Sequence, residues 1–312
     1  MNDIPRLVVA IMGATATGKT DIAVRLAEQF SAEIVSMDSR QIYGGLEIGT
    51  AKPGKDILAR IPHHLINILE PSETTSAGRH LRLVDRAIAD IARRDKLPFL
   101  VGGTGLYFRA FFDGLIDLAV DDEALESVRL VLESRSTEDL YDELRDVDPA
   151  RAEKLSPNDR MRISRAMEIY RLTGRTHTEH LAKQHAARRT AERPSVKIVL
   201  SMPRDVLRDR IAERTVEMFS SGWVDEVRAL LDRGVDAKQP AMNSLGYDTI
   251  ANAIESGGDP LKIQDQVITL TQQYAKRQET FFRGISGAHW VDVTESGALD
   301  KVKRLIEEGC PV

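Results

Sequence analysis

A chain of 312 residues, 42% apolar and 29% charged, can bury a substantial core and has room for two domains, which excludes a disordered or low-complexity protein. No apolar run approaches the ~18 residues that a membrane-spanning helix needs, and the opening MNDIPRLVVAIMG lacks the basic flank and small-residue cleavage site of a secretory leader. The lone cysteine, Cys310, excludes a disulfide framework or a cysteine-based metal site, so a reducing cytoplasm is expected.

The net charge of −5 is unevenly spread. Residues 151–215 hold 16 Lys and Arg against 8 Asp and Glu, leaving 27 basic and 40 acidic residues elsewhere. A basic segment in an acidic chain has two readings: a surface for a polyanion, or Arg stems covering apolar area on solvated helices.

In chain order, RLVVAIMG (6–13), AEIVSMDS (32–39), LPFLVGGT (97–104) and VKIVLSMP (196–203) are short, nearly continuous apolar runs that precede helical patterns. Such strands are buried on both faces, as in a parallel sheet covered by crossover helices. Residues 76–96 place Leu81, Val84, Ile88 and Ile91 on one helical stripe. Residues 116–195 break this rhythm, with helix patterns at DEALESVRLVLESR and RMRISRAMEIYRLTG and no convincing strand. The second pattern has a start signal at 156–159 and a stop at Gly174. The chain is then mostly helical to YAKRQETFFRG, with a late short strand expected at AHWVDVT (288–294). The prediction is an α/β fold: a doubly wound parallel sheet built from 1–115 and 196–312, interrupted by a helical insertion domain at 116–195.

After the first strand, Gly13-Ala14-Thr15-Ala16-Thr17-Gly18-Lys19-Thr20 fits the phosphate loop (P-loop) G-x-x-x-x-G-K-[ST]. Its glycines let successive N–H groups converge on one anion, the following helix adds partial positive charge, and Lys19 adds a full one. The Thr20 hydroxyl is placed to ligate Mg²⁺. This chemistry fits any diphosphate and does not name it. The second strand closes on Asp38, which has three readings: a metal-side carboxylate, a general base facing an acceptor, or a residue that starts a turn. Asp38, Ser39, Arg40 and Gln41 follow at the carboxyl end of a strand, where open α/β sheets bind ligands, and their donors and acceptors could read a base edge. In VGGTGLY (101–107) the glycines permit close backbone approach, and Thr104 can donate to a phosphate or substrate.

Taken together, GATATGKT, MDSRQIYGGLEIGTAKP, HHLINILEP, LVGGTGLYFRAFFDGL, SPNDRMRISRAMEIYRLTG, FSSGWVDEVRALL, SLGYDTI and YAKRQETFFRG resemble, in the same order and over nearly the whole chain, the tRNA isopentenyltransferase (tRNA dimethylallyltransferase) family. The resemblance implies transfer of the allyl group of dimethylallyl diphosphate to the exocyclic N6 of the adenosine 3′ of the anticodon, position 37, in tRNAs reading codons that begin with U. By that resemblance Gly13 to Thr20 hold the diphosphate with Mg²⁺ on Thr20, and Asp38 is the general base. Arg214 contacts the pyrophosphate, and Thr104 lies near the reacting ends of both substrates. Ser39, Arg40 and Gln41 hold the extruded base; Met161, Arg162, Ile163, Ser164 and Arg165 contact the tRNA. Lys276, Arg277 and Gln278 are further tRNA candidates. A monomer without membrane association is expected. The chain departs from the family pattern at Ala14, usually Pro, and at Gln272, often Arg. It departs also at the start of the insertion, where Arg129 is the nearest candidate for a tRNA-contacting Arg. The competing readings are a small-metabolite kinase with Asp38 on the metal side, an enzyme prenylating free AMP, and a nucleotide-dependent switch or RNA adapter.

Overall fold

The computed structural model describes residues 7–116, 122–188 and 194–310. The expected opening strand and the insertion therefore include residues outside the described ones: Arg6, 117–121 and 189–193. The chain divides into two compact units, Met1–Ala110 with Arg193–Val312, and Phe111–Glu192.

The first unit begins with strand β1 (Val8–Gly13), helix α1 (Lys19–Gln29), β2 (Ala32–Ser36), the short α2 (Lys55–Arg60) and a two-residue strand β3 (His63–His64). It continues through α3 (Ala77–Ala92) and β4 (Leu97–Gly102) into α4 (Gly105–Asp113). The second unit follows as α5 (Asp122–Glu133), α6 (Thr137–Val147), α7 (Pro149–Ala152), α8 (Arg160–Thr173) and α9 (His177–Arg188). The chain then returns to the first unit with β5 (Ser195–Ser201), α10 (Arg204–Ser220), α11 (Trp223–Asp232) and α12 (Tyr247–Glu255). It ends with α13 (Gln264–Phe282), β6 (His289–Asp292) and α14 (Ala298–Gly309).

Among the described residues, six strands form one wholly parallel sheet in the order β3-β2-β4-β1-β5-β6. Every residue of β1 and β2 is buried, because helices cover both faces. On one face Val9, Ile11, Phe99, Ile198, Leu200 and Val291 pack with Ala23, Leu26 and Ala27 of α1 and with Val302 and Ile306 of α14. The alternate residues Val8, Ala10, Met12, Val35 and Leu100 are equally buried and point the other way, where α3 lies against β2 and β4 and α13 against β1. The α3 stripe holds Val84, Ile88 and Ile91 in the core with Leu81 at its margin, and Ser76 caps the helix by accepting from the Arg79 N–H. The two-residue β3, too short to give a sequence signal, extends the sheet beyond β2.

The second unit is helical throughout its described residues. Asp159 caps α8 by accepting from Arg162 N–H, and Gly174 ends it in the left-handed conformation at φ 68°. Ile163, Ala166 and Met167 pack on Leu132, Leu140 and Leu144. The buried Glu168 pairs with both Arg129 and Arg165, and Glu143 pairs with Arg135 and Arg171. Within the basic segment, Arg165 and Arg171 are thus paired with carboxylates of this unit.

Gly102 ends β4 with its backbone against the loop after β2. A Cβ there would lie 2.2 Å from the Met37 carbonyl oxygen. Gly102→Ala is expected to destabilise the protein by about 1–3 kcal/mol through forced displacement of backbone, read as a lower melting temperature by calorimetry. An unchanged melting temperature would contradict this packing.

Candidate active site

The loops that leave the carboxyl ends of β2, β4 and β1 lie side by side, as the strand order requires. The loop after β1 turns because Gly13, Ala16 and Gly18 all adopt positive φ, at 153°, 65° and 81°. Gly13 also faces backbone: a Cβ would meet the Leu200 carbonyl oxygen at 2.5 Å. Inside the loop the Ala14 carbonyl accepts from Thr17 Oγ1 at 2.8 Å and from Lys19 Nζ at 2.6 Å. The N–H groups of the first turn of α1, from Lys19 and Thr20 onward, have no acceptor within the helix.

After β2, Asp38 Oδ1 accepts from the N–H groups of Arg40 at 2.8 Å and Gln41 at 3.2 Å. This bears out the turn-starting reading of Asp38 and fixes one carboxylate oxygen. Ser39 N–H donates to Thr104 Oγ1 at 3.1 Å, which ties the β2 loop to the β4 loop. The Gln41 amide donates to the carbonyls of Thr50 and Ala51, so this side chain organises its own loop. Lys52 Nζ, almost fully buried, donates to Tyr43 O at 2.5 Å and to the side chains of Glu47 and Asn67; desolvation lowers its pKa. Glu226 of α11 accepts from the Glu47 and Ile48 N–H groups, and Tyr247 donates to Glu226. The segment 38–52 is therefore pinned at both ends.

Two clefts open at this edge. The first, about 350 Å³, is lined by Thr15, Gly18, Lys19, Thr20, Asp38, Lys52, Gly103, Arg210, Arg214 and Gln278. The second, about 450 Å³, is lined by Ser39, Arg40, Met218, Trp223, Asn243, Ser244, Arg277 and others. Thr15, Ala16, Asp38, Thr50, Arg214 and Tyr274 line both, so the clefts adjoin at Asp38.

The first cleft is electrostatically unbalanced. Desolvation, then repulsion by Arg214, pushes the Lys19 pKa down to about 7, opposed by Asp38. Arg214 donates to Thr15 Oγ1 at 3.3 Å; desolvation and then the charge of Arg210 depress its pKa. Tyr274 is pushed up to about 12 by desolvation and by Asp38, which keeps it a neutral hydroxyl. Beneath the site His80 is buried, stacks on Tyr107 and lies 3.1 Å from the Ser36 carbonyl; desolvation brings its pKa to about 4, so it is a neutral support.

Two expected tRNA contacts are corrected by the structure. Ile163 is fully buried in the core of the helical unit, on the inward face of α8. Gln278 is also buried: its Oε1 accepts from Thr15 N–H at 2.8 Å and its Nε2 donates to Gly103 O at 2.9 Å. On the same elements Met161, Arg162, Arg165, Lys276 and Arg277 are exposed and Ser164 is half-buried. Arg129, the substitute candidate, pairs with Glu168. The residues missed from the sequence are Arg210, Tyr274 and Trp223. Arg210 had a signal, because it stands four residues before Arg214 on one helix face.

Fold and site together define an α/β protein with a phosphate-loop sequence and a cationic cleft at the carboxyl edge of its sheet. A family model described as IPP transferase matches residues 41–285, and one described as isopentenyl transferase matches residues 6–65. A tRNA dimethylallyltransferase of Chromohalobacter salexigens is 40% identical over 309 residues, 98% of each chain. The crystal structure of a tRNA delta(2)-isopentenylpyrophosphate transferase from Staphylococcus epidermidis superposes with a TM-score of 0.71 at 30% identity, covering 98% of this chain and 100% of that one. A eukaryotic dimethylallyltransferase acting on tRNA shares the fold with a TM-score of 0.81 at 24% identity, covering 98% and 81%. The chain belongs to the IPP transferase family.

An anion in the first cleft is expected to return Lys19 toward its ordinary protonated range, so binding takes up a proton above pH 7. Inorganic pyrophosphate affinity should therefore weaken as pH rises from 7 to 9 relative to a Lys19→Arg variant, whose guanidinium stays charged. Calorimetry in buffers of different ionisation enthalpy measures this. Parallel pH profiles for the two proteins would exclude it.

Proposed function

We propose that this chain transfers the dimethylallyl group of dimethylallyl diphosphate to the exocyclic N6 of adenosine 37, next to the anticodon of tRNAs reading codons that begin with U. Family membership supports the class of reaction. The observation that carries the assignment of roles is the junction of the two clefts at Asp38. The first cleft, with Lys19, Arg210 and Arg214, suits the diphosphate. The second, with Ser39, Arg40, Asn243 and an apolar wall, suits an extruded base.

The N6 lone pair is delocalised into the purine and becomes nucleophilic as its proton leaves. In this reading Asp38 keeps Oδ1 bound to its own loop and takes the N6 proton on Oδ2. A bond forms between N6 and the allylic carbon while the bond from that carbon to the diphosphate oxygen breaks, and pyrophosphate departs with the electron pair. Lys19, Arg214, Arg210 and the N–H groups of the loop take up the charge that develops on it. Thr104 holds Ser39 through its backbone and so sets the position of the acceptor loop.

Mg²⁺ fits the donors present. The described residues hold no cluster of three or more His, Cys, Asp or Glu, and the cleft offers the Thr20 hydroxyl in the first turn of α1. Mg²⁺ bound with substrate phosphates keeps several waters and needs few protein ligands. Held by Thr20 and the diphosphate, it would add neutralising charge on the leaving group.

Asp38→Asn is expected to lower turnover by ~10²-fold or more while leaving dimethylallyl diphosphate bound. Unmodified tRNA should take radiolabel from dimethylallyl diphosphate and none from ATP; equal turnover by Asp38→Asn would refute the base assignment. Affinity for tRNA should fall steeply with added salt and fall further in Arg162→Ala, whose side chain is exposed on α8. A salt-independent affinity in filter binding would remove the basic surface from the reading.

A further inference from the structure

The phosphate loop does not present all of its backbone donors to the cleft. Thr15 N–H is occupied by Gln278 Oε1 at 2.8 Å, and Gln278 borders the first cleft beside Thr15. At that end of the cradle an incoming anion meets a carbonyl oxygen in place of an N–H group. The arrangement is rigid. Gln278 is buried, its amide nitrogen is fixed to Gly103 O at 2.9 Å, and a Cβ on Gly103 would lie 2.4 Å from that nitrogen. With Nε2 donating to Gly103, the amide cannot flip to offer N–H to the cleft without losing both bonds. The donors that line the cleft include the N–H groups at the start of α1, Lys19 and the two guanidiniums.

We infer that Gln278 is a specificity-determining residue, which shortens the phosphate cradle so that it takes a diphosphate and rejects a triphosphate. A third phosphate placed along the loop at Thr15 would set its oxygens against Gln278 Oε1. Both are acceptors, neither carries a proton to share, and the Thr15 N–H that could compensate is already occupied. A ubiquitous triphosphate sharing the same P-loop chemistry is thereby kept out of the donor site.

This inference rests on the diphosphate reading of the first cleft, and the experiment separates the two. Inorganic pyrophosphate and inorganic tripolyphosphate compete, each with Mg²⁺, against labelled dimethylallyl diphosphate on the full chain. The readout is the ratio of the two affinities, which a general loss of fold does not change. In the wild type the ratio should favour pyrophosphate. In Gln278→Met, which keeps the length but removes the carbonyl, the preference should shrink by roughly tenfold, the scale of one unpaired polar contact. Gln278→Asn withdraws the carbonyl by one methylene and should move the ratio the same way, so a poorly folded Met variant does not end the test. A ratio unchanged in the variants that still bind pyrophosphate overturns the inference. Failure of wild-type protein to bind pyrophosphate defeats the diphosphate reading itself.

Discussion

The burial of Lys19 and Arg214 in one cleft is the constraint around which the carboxyl edge of the sheet is organised. The two cations share a desolvated cleft with Arg210 close by; Asp38 opposes both, and Glu217 also acts on Arg214. An arrangement of this kind is unfavourable until an anion arrives, and the fold supports it from a distance. The fully buried β1 holds the start of the loop, and α10 and α13 bring the guanidiniums and Gln278 to it. The binding energy of an anion is then concentrated at these cations.

The segment 38–52 is built differently, by backbone restraint in place of charge. Asp38, Gln41 and Lys52 each bind main-chain groups of the segment 38–52, and Glu226 holds its middle from α11. Hydrogen bonds also join adjacent loops: Ser39 to Thr104, and Thr15 through Gln278 to Gly103. The three loops behave as one frame, so the spacing of Asp38 and the phosphate loop is set by short bonds between neighbours. That preorganisation is what an in-place displacement demands.

The sheet and the phosphate loop were legible because their physics is local. Doubly buried strands need continuous apolar runs, and a left-handed loop needs glycine at fixed spacing. The second cleft was not legible, because Trp223, Asn243 and Tyr274 come from segments far apart in sequence and carry no local pattern. Ile163 and Gln278 show the opposite failure. Each lies within a motif that reads as one contiguous contact surface, yet a helix turns 3.6 residues per revolution. Ile163 within Met161–Arg165 and Gln278 within Lys276–Gln278 fall on the inward faces of their helices. The exposed neighbours keep the surface role open to them.

Trp223 stands in the wall of the second cleft with glycine on either side. A Cβ on Gly49 or Gly246 would lie within 2.1 Å and 2.3 Å of its ring, and Phe219 and Tyr247 meet it edge-on. The chain's other tryptophan, Trp290, is on the edge strand β6. Indole emission responds to the polarity of its surroundings, so the second cleft carries a built-in optical gauge. With Trp290 replaced by Phe, the arrival of a ligand there could be followed in real time without any attached dye.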